Sequence, residues 1–128
     1  MKRLVLIVFA MLFLTACGQD KENVQEVVYV NITAKQAKEI MNSQEGYIIL
    51  DTRTQKEYDE SRIPGAILIP YDKITEKAES VLPDKNQLIL VYCRSGRRSK
   101  LASEDLVKLG YTNIKEFGGI IDWPYETE

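Results

Sequence analysis

Leu88-Ile89-Leu90-Val91-Tyr92 runs directly into Cys93-Arg94-Ser95-Gly96-Arg97-Arg98-Ser99. Such a continuous apolar run is the mark of a strand buried on both faces, and strands of that kind belong to parallel sheets covered by helices on each side. The basic, glycine-containing loop then passes without a break into a helical pattern, in which Leu101, Ala102, Asp105, Leu106 and Leu109 fit one apolar stripe and Gly110 suits the C′ position. A cysteine is thereby placed at the mouth of a buried strand and against a helix N-terminus. Unpaired backbone amides, the positive end of a helix dipole and the guanidiniums of Arg94, Arg97 and Arg98 all favour thiolate over thiol at such a place. Cys93 is a candidate nucleophile.

Outward from this stretch, apolar runs alternate with amphipathic ones. Val27-Val28-Tyr29-Val30 reads as a first strand, and Thr33 as the N-cap of a helix carrying Ala37, Ile40 and Met41. Tyr47-Ile48-Ile49-Leu50 is a second strand ended by Asp51, and Thr54-Gln55-Lys56-Glu57 has the spacing of a capping box opening a short helix through Glu60. Ile63-Pro64-Gly65-Ala66 turns the chain into a short strand, Ile67-Leu68-Ile69. Pro70 then starts a helix in which Ile74, Ala78 and Val81 share a face. A last strand, Asn113 to Phe117, leads to Gly118-Gly119 and a terminal turn holding Trp123. The pattern predicts an α/β fold with three layers, a central, mostly parallel five-stranded sheet with helices on both faces. In such sheets ligands bind outside the carboxyl ends of the strands, where Cys93 and Asp51 both lie.

The N-terminus reads differently. Met1-Lys2-Arg3 precedes an apolar run from Leu4 to Leu14, followed by Thr15-Ala16-Cys17-Gly18. A basic start, a short apolar core and small residues at the cut describe a secretory signal, and the run is too short for a spanning helix of about 20 apolar residues. Leu14-Thr15-Ala16-Cys17 resembles a bacterial lipobox, which implies cleavage before Cys17 and lipid on its sulfur. The expected organisation is a signal segment 1–16, a lipidated linker 17–26 and one domain over 27–128. The protein is then exported and held by its lipid at the outer face of the cytoplasmic membrane or at the outer membrane. With Cys17 lipidated, no intramolecular disulfide can form, and Cys93 is the mature protein's single free thiol in an oxidising compartment. The whole chain carries a net charge of −2 and becomes more acidic once Lys2 and Arg3 are removed, which argues against nucleic acid as a partner. The arginine cluster after Cys93 stands out against that average.

The chain has no histidine, so a Cys–His pair is excluded and histidine-based zinc sites with it. Activation of Cys93 must be electrostatic. Gly96 lets the backbone take positive φ and turn its amides inward as an anion-binding nest. Neither the phosphate-loop pattern nor the dinucleotide fingerprint is present. Asp51 is expected to accept loop amides at its strand end, and Arg53 to pair with Glu57 one turn along, so these three are read as structural support. Trp123 is read as core packing or an edge of the pocket.

The loop Cys93 to Ser99 has the form Cys-x-x-Gly-x-Arg-Ser, and with Asp51-Thr52-Arg53, Glu57-Tyr58, Ile63-Pro64-Gly65-Ala66, Leu109-Gly110-Tyr111 and Gly118-Gly119 before Trp123 the chain resembles a single-domain rhodanese, a sulfurtransferase. The resemblance covers nearly the whole domain. It implies that Cys93 takes the outer sulfur of a small anionic donor such as thiosulfate, holds it as a persulfide and passes it to a thiol or cyanide acceptor. Arg94, Ser95, Gly96, Arg97 and Arg98 would form the substrate-binding loop, with no metal and no cofactor. One departure is Arg62, where the family usually has a histidine before Ile-Pro-Gly-Ala. Two other readings are a non-catalytic binding or redox module of the same fold, and a cysteine phosphatase or arsenate reductase. The latter use a Cys-x5-Arg loop, whereas here Arg98 falls at the fifth position after Cys93 and Ser99 at the sixth. A shorter loop encloses a smaller group.

Overall fold

A computed structural model describes residues 28–128. The signal segment 1–16, Cys17, the linker and Val27 of the expected first strand lie outside the described residues. Within them the strands are β1 (Val30–Asn31), β2 (Ile48–Asp51), β3 (Ile67–Leu68), β4 (Ile89–Cys93) and β5 (Ile114–Gly119). The helices are α1 (Ala34–Ser43), α2 (Gln55–Glu60), α3 (Ile74–Val81) and α4 (Arg97–Lys108). The strands form one sheet in the order β1-β5-β4-β2-β3, and every pairing is parallel.

The central strand β4 is buried along its whole length. Its side chains alternate between two cores: Ile89 and Val91 join Ala78, Ala102 and Leu106 under α3 and α4, while Leu90 and Tyr92 join Ala37, Ile63 and Trp123 on the side of α1 and α2. That division accounts for the unbroken apolar run, since neither face of the strand meets water. Helices α1 and α2 start where their caps dictate. Thr33 and Thr54 each accept the backbone N–H three residues on, and Gln36 and Glu57 reach back to the cap amides.

Several expected boundaries move for local reasons. Strand β1 pairs with β5 only through Val30 and Asn31, opposite Lys115 and Glu116, so it begins three residues later and ends one residue later than the apolar run suggests. After Pro70 the chain makes a 3-10 turn, Tyr71–Lys73, before α3 begins at Ile74. Val81 is 43% exposed and Leu82 takes the buried place below Ala78. The stripe of α4 is likewise rotated: Ser99, Ala102, Ser103 and Leu106 face inward, whereas Leu101 is exposed. Two serines on that face hide the stripe from a reading of hydrophobicity alone.

Candidate active site

The helix after β2 packs on one face of the sheet and the helix after β4 on the other, so the chain diverges between these neighbouring strands. A crevice opens at such a switch point. Here it is a cleft of about 350 Å³ lined by Arg53, Glu57, Glu60, Ser61, Arg94, Ile120 and Ile121. Cys93 ends β4 beside it, with no exposed surface.

The local geometry around Cys93 follows from glycine. Gly96 has φ +104 and caps α4 in the left-handed conformation, which turns its own N–H onto Cys93 Sγ at 2.9 Å. The first amides of α4, from Arg97 onward, have no intrahelical acceptor and lie in the same turn. Ser99 Oγ is 3.3 Å from Sγ. Arg94, Ser95 and Arg97 are exposed on the outside of the loop.

Behind the loop, β5 bulges. Val91 pairs with Glu116 but Cys93 pairs with Gly119, so Phe117 and Gly118 together face the single residue Tyr92. The bulge brings Gly119 directly beneath the active loop: a Cβ there would stand 1.9 Å from Arg94 O and 2.6 Å from Ser95 Cα. Ile121 N–H donates to the same Arg94 carbonyl at 3.2 Å.

Arg98, expected in the substrate-binding loop, is held by a carboxylate of α2. Its guanidinium makes a two-pronged pair with Glu57, at 2.7 and 3.0 Å, whereas Arg94 and Arg97 are exposed and make no ion pair among the described residues. The expected Arg53–Glu57 pair is also corrected. Arg53 turns back to Asp51, with its Nε 3.0 Å from both carboxylate oxygens and a terminal nitrogen 2.6 Å from Oδ2, because both side chains are buried and Glu57 sits farther out at the cleft. Asp51 Oδ1 accepts the Arg53 amide at 2.9 Å, as expected of a carboxylate closing a strand, and Oδ2 accepts the Tyr92 hydroxyl at 2.8 Å. Burial, then the Asp51 charge, pushes the Tyr92 phenol above its usual range. Trp123 is buried and packs against Phe117 in the core, with ring centroids 5.5 Å apart and planes tilted by 51°, as expected of core packing. Arg62 bonds Glu128 at 3.2 Å and lies over the Tyr58 ring.

Sequence reading passed over Glu116. It is 2% exposed, its Oε1 accepts the Gly118 amide at 2.8 Å and it lies 2.7 Å from Ser99 Oγ. The available signal was parity: Glu116 shares a strand face with Ile114, so a carboxylate was due to point into the core under α4.

The Arg98–Glu57 pair carries a testable pH dependence. The Arg98 hydrogen bonds hold the Glu57 carboxyl down at about 2, from 4.5 ordinarily, against the opposing effect of burial. Because the folded value is depressed, the pair stabilises the fold above about 4.5 and that contribution is lost as pH falls through about 2. Glu57→Gln is expected to cost about 1 kcal/mol near neutral pH, as partly exposed pairs do. In denaturant titrations at several pH values the gap from wild type should close toward acid; a gap independent of pH would show that the pair's charge contributes nothing.

Fold and site together define the class: a three-layer parallel α/β domain with a cysteine at the end of its central strand and the Gly96 amide on its sulfur. The chain belongs to the rhodanese-like domain family, whose sequence pattern matches residues 33–124. It is 38% identical over 73 residues to the thiosulfate sulfurtransferase PspE of Escherichia coli K12, covering 57% of this chain and 70% of that one. It is 32% identical over 90 residues to the adenylyltransferase and sulfurtransferase UBA4 of Meyerozyma guilliermondii, covering 64% of this chain but only 21% of that longer protein. Among solved structures, a rhodanese with anions from E. coli superposes with a TM-score of 0.60 at 34% identity, over 64% of this chain and 96% of that one.

Proposed function

We propose that the protein transfers sulfane sulfur from thiosulfate, or a donor like it, to a thiol or cyanide through a persulfide on Cys93. The observation that carries this reading is the Gly96 amide on Cys93 Sγ at 2.9 Å, in a loop whose other early-helix amides share the same turn. In the first half-reaction the Cys93 thiolate attacks the outer sulfur of thiosulfate. The donor's S–S bond breaks and sulfite leaves with the electron pair. The terminal sulfur of the resulting persulfide is anionic, and the Gly96 amide, together with the unpaired first amides of α4, would stabilise it as an oxyanion hole stabilises oxygen. In the second half-reaction the acceptor attacks that terminal sulfur and Cys93 leaves as thiolate. Arg94 and Arg97, exposed at the loop, attract the dianionic donor. Since Cys93 has no exposed surface, contact with a donor includes a local opening of the exposed Arg94-Ser95 segment.

The phosphatase reading loses ground on Arg98, whose planar fork would be needed for a phosphoryl group and is instead held by Glu57. The test is intact-mass measurement after incubation with thiosulfate. A gain of one sulfur atom, removed by cyanide and absent in Cys93→Ser, is the expected result. An unchanged mass together with hydrolysis of p-nitrophenyl phosphate would replace this reading with the phosphatase, and silence in both assays would leave a binding module.

A further inference from the structure

The cleft beside Cys93 carries charge that the donor half of the reaction does not explain. Of its charged side chains, Arg53 is tied to Asp51 and Glu57 to Arg98, so each is balanced within the domain. Glu60 and Arg94 are exposed and make no ion pair among the described residues. Glu60 is the last residue of α2 and Arg94 the first after β4, so they stand on the two segments that diverge at the switch point. Ile120 and Ile121 add an apolar wall, Ile121 with 61% of its surface exposed. The cleft therefore offers one uncompensated carboxylate, one uncompensated guanidinium and an apolar surface, all beside the reactive sulfur.

Arg94 suits a dianionic donor. Glu60 does not, because a carboxylate in the same cleft repels thiosulfate, and it repels cyanide as an acceptor for the same reason. What gains from a carboxylate is a molecule that brings positive charge with it. The molecule entering in the second half-reaction is a nucleophile, and a thiol bearing an ammonium group meets both requirements. If it also bears a carboxylate, Arg94 can hold that end by a charge-assisted hydrogen bond once sulfite has left.

We propose that the acceptor is a small zwitterionic aminothiol of the cysteine type, its ammonium group held by Glu60 and its carboxylate by Arg94. The inference rests on the reading of Cys93 as a persulfide carrier. The acceptor thiol gives its proton to water, a step that its own ammonium group favours by stabilising the thiolate. That thiolate attacks the terminal sulfur of the Cys93 persulfide. A new S–S bond joins the sulfur to the acceptor, the S–S bond to Cys93 breaks, and Cys93 leaves with the electron pair as thiolate. A persulfide anion and a thiolate enter, a thiolate and a persulfide anion result, and no oxidant or reductant is consumed.

The test has two arms on the full chain. In the first, Cys93 is loaded with thiosulfate, excess donor is removed, and discharge of the extra sulfur is followed by intact mass after adding 2-mercaptoethanol, cysteamine, 3-mercaptopropionate or cysteine. The ratio of wild-type to variant rate cancels each thiol's intrinsic reactivity. Glu60→Gln is expected to slow cysteamine and cysteine about threefold to fivefold, the upper range for an exposed ion pair, and to leave 2-mercaptoethanol unchanged. The same variant should quicken 3-mercaptopropionate. Arg94→Gln should slow cysteine and 3-mercaptopropionate but not cysteamine. At about 1 M salt, where charges are screened beyond ~3 Å, these differences should shrink. An equal effect on every thiol would mean that Glu60 acts only through the fold, and no effect on any would make it a solvated surface charge; either overturns the proposal.

The second arm needs no persulfide. Methanethiosulfonates bearing a 2-aminoethyl, methyl or 2-sulfonatoethyl group form a mixed disulfide with Cys93, read by mass spectrometry of the Cys93 peptide. Glu60→Gln should slow the aminoethyl reagent about threefold to fivefold, leave the methyl reagent unchanged and quicken the sulfonate. Charge selectivity without sulfur loading would sink the sulfur-transfer reading and the acceptor with it. Loading without charge selectivity would sink the acceptor assignment alone.

Discussion

Gly119→Ala is expected to suppress the persulfide formation proposed for Cys93 while leaving that residue, its loop sequence and most of the fold in place. The substitution is not a matter of backbone freedom, because Gly119 has φ −124 and ψ 153, which any residue adopts. It is a matter of space. The added Cβ would stand 1.9 Å from Arg94 O, 2.4 Å from Arg94 C and 2.6 Å from Ser95 Cα, all of them backbone atoms that no rotamer change can move aside. The loop or the end of β5 must shift by about 1 Å, and a misplacement of that size at a reacting centre costs on the order of a hundredfold in rate. The loop is the side that yields, since Arg94 and Ser95 are exposed whereas Phe117 beside the glycines is packed in the core. The Ile121–Arg94 hydrogen bond goes with it. Stability should fall by about 1–3 kcal/mol, the range for overpacking. Gly118→Ala is the informative contrast: its φ is +87 but no atom lies within 4 Å of its Cβ, so it should cost backbone strain of about 1–2 kcal/mol with a smaller effect on sulfur loading. Stopped-flow loading with thiosulfate, followed by intact mass, checks both. Wild-type loading by Gly119→Ala would mean that Gly119 does not position the loop.

The contrast also explains which features were legible in the chain. The order of elements was readable because β4 is buried on both faces and therefore carries an unbroken apolar run, and because Thr33 and Thr54 announce their helices by side-chain chemistry. Cys93 and Gly96 were readable because a strand end, a glycine and a helix start are all local signals. What lay beyond reach was long-range. Whether Arg98 meets a donor or Glu57 depends on how α2 and α4 sit across the switch point, and nothing in either segment records that distance. Arg53 has carboxylates two and four residues away, and the choice of Asp51 over Glu57 follows from burial, which sequence shows only as an average. Glu116 was an intermediate case. Its inward parity could be read, but its partner Ser99 sits on an α4 face that two serines make look polar. The bulge that sets Gly119 under Arg94 belongs to the pairing of β5 with β4, not to either strand.

Asp51→Ala is expected to be the most destabilising single change at the site. Asp51 has no exposed surface and gathers the Arg53 amide, the Arg53 guanidinium and the Tyr92 hydroxyl. Removing it leaves a guanidinium whose side chain is 5% exposed with the Ser61 carbonyl as its remaining partner, and leaves the Tyr92 hydroxyl, which accepts from Ile63 N–H, without its acceptor. Stranding one member of a buried ion pair costs about 3–5 kcal/mol, a large part of the ~5–15 kcal/mol that holds a domain together. The effect is on the site as well as on stability, because the adjacent Thr52 ties β2 to β4 by two bonds to the Tyr92 carbonyl, one residue before Cys93. Urea unfolding of Asp51→Ala should show this loss with an unchanged m value, and a loss below about 1 kcal/mol would mean that Arg53 finds water or another partner without difficulty. A second variant separates the stranded charge from lost packing. Replacing both members, Asp51→Leu with Arg53→Met, removes the uncompensated charge and should recover much of the stability, since apolar replacements of a buried pair are often neutral or better. If the double variant is as unstable as Asp51→Ala, the pair holds the strand ends through its hydrogen bonds to the Arg53 amide, Tyr92 and Ser61, and charge is secondary.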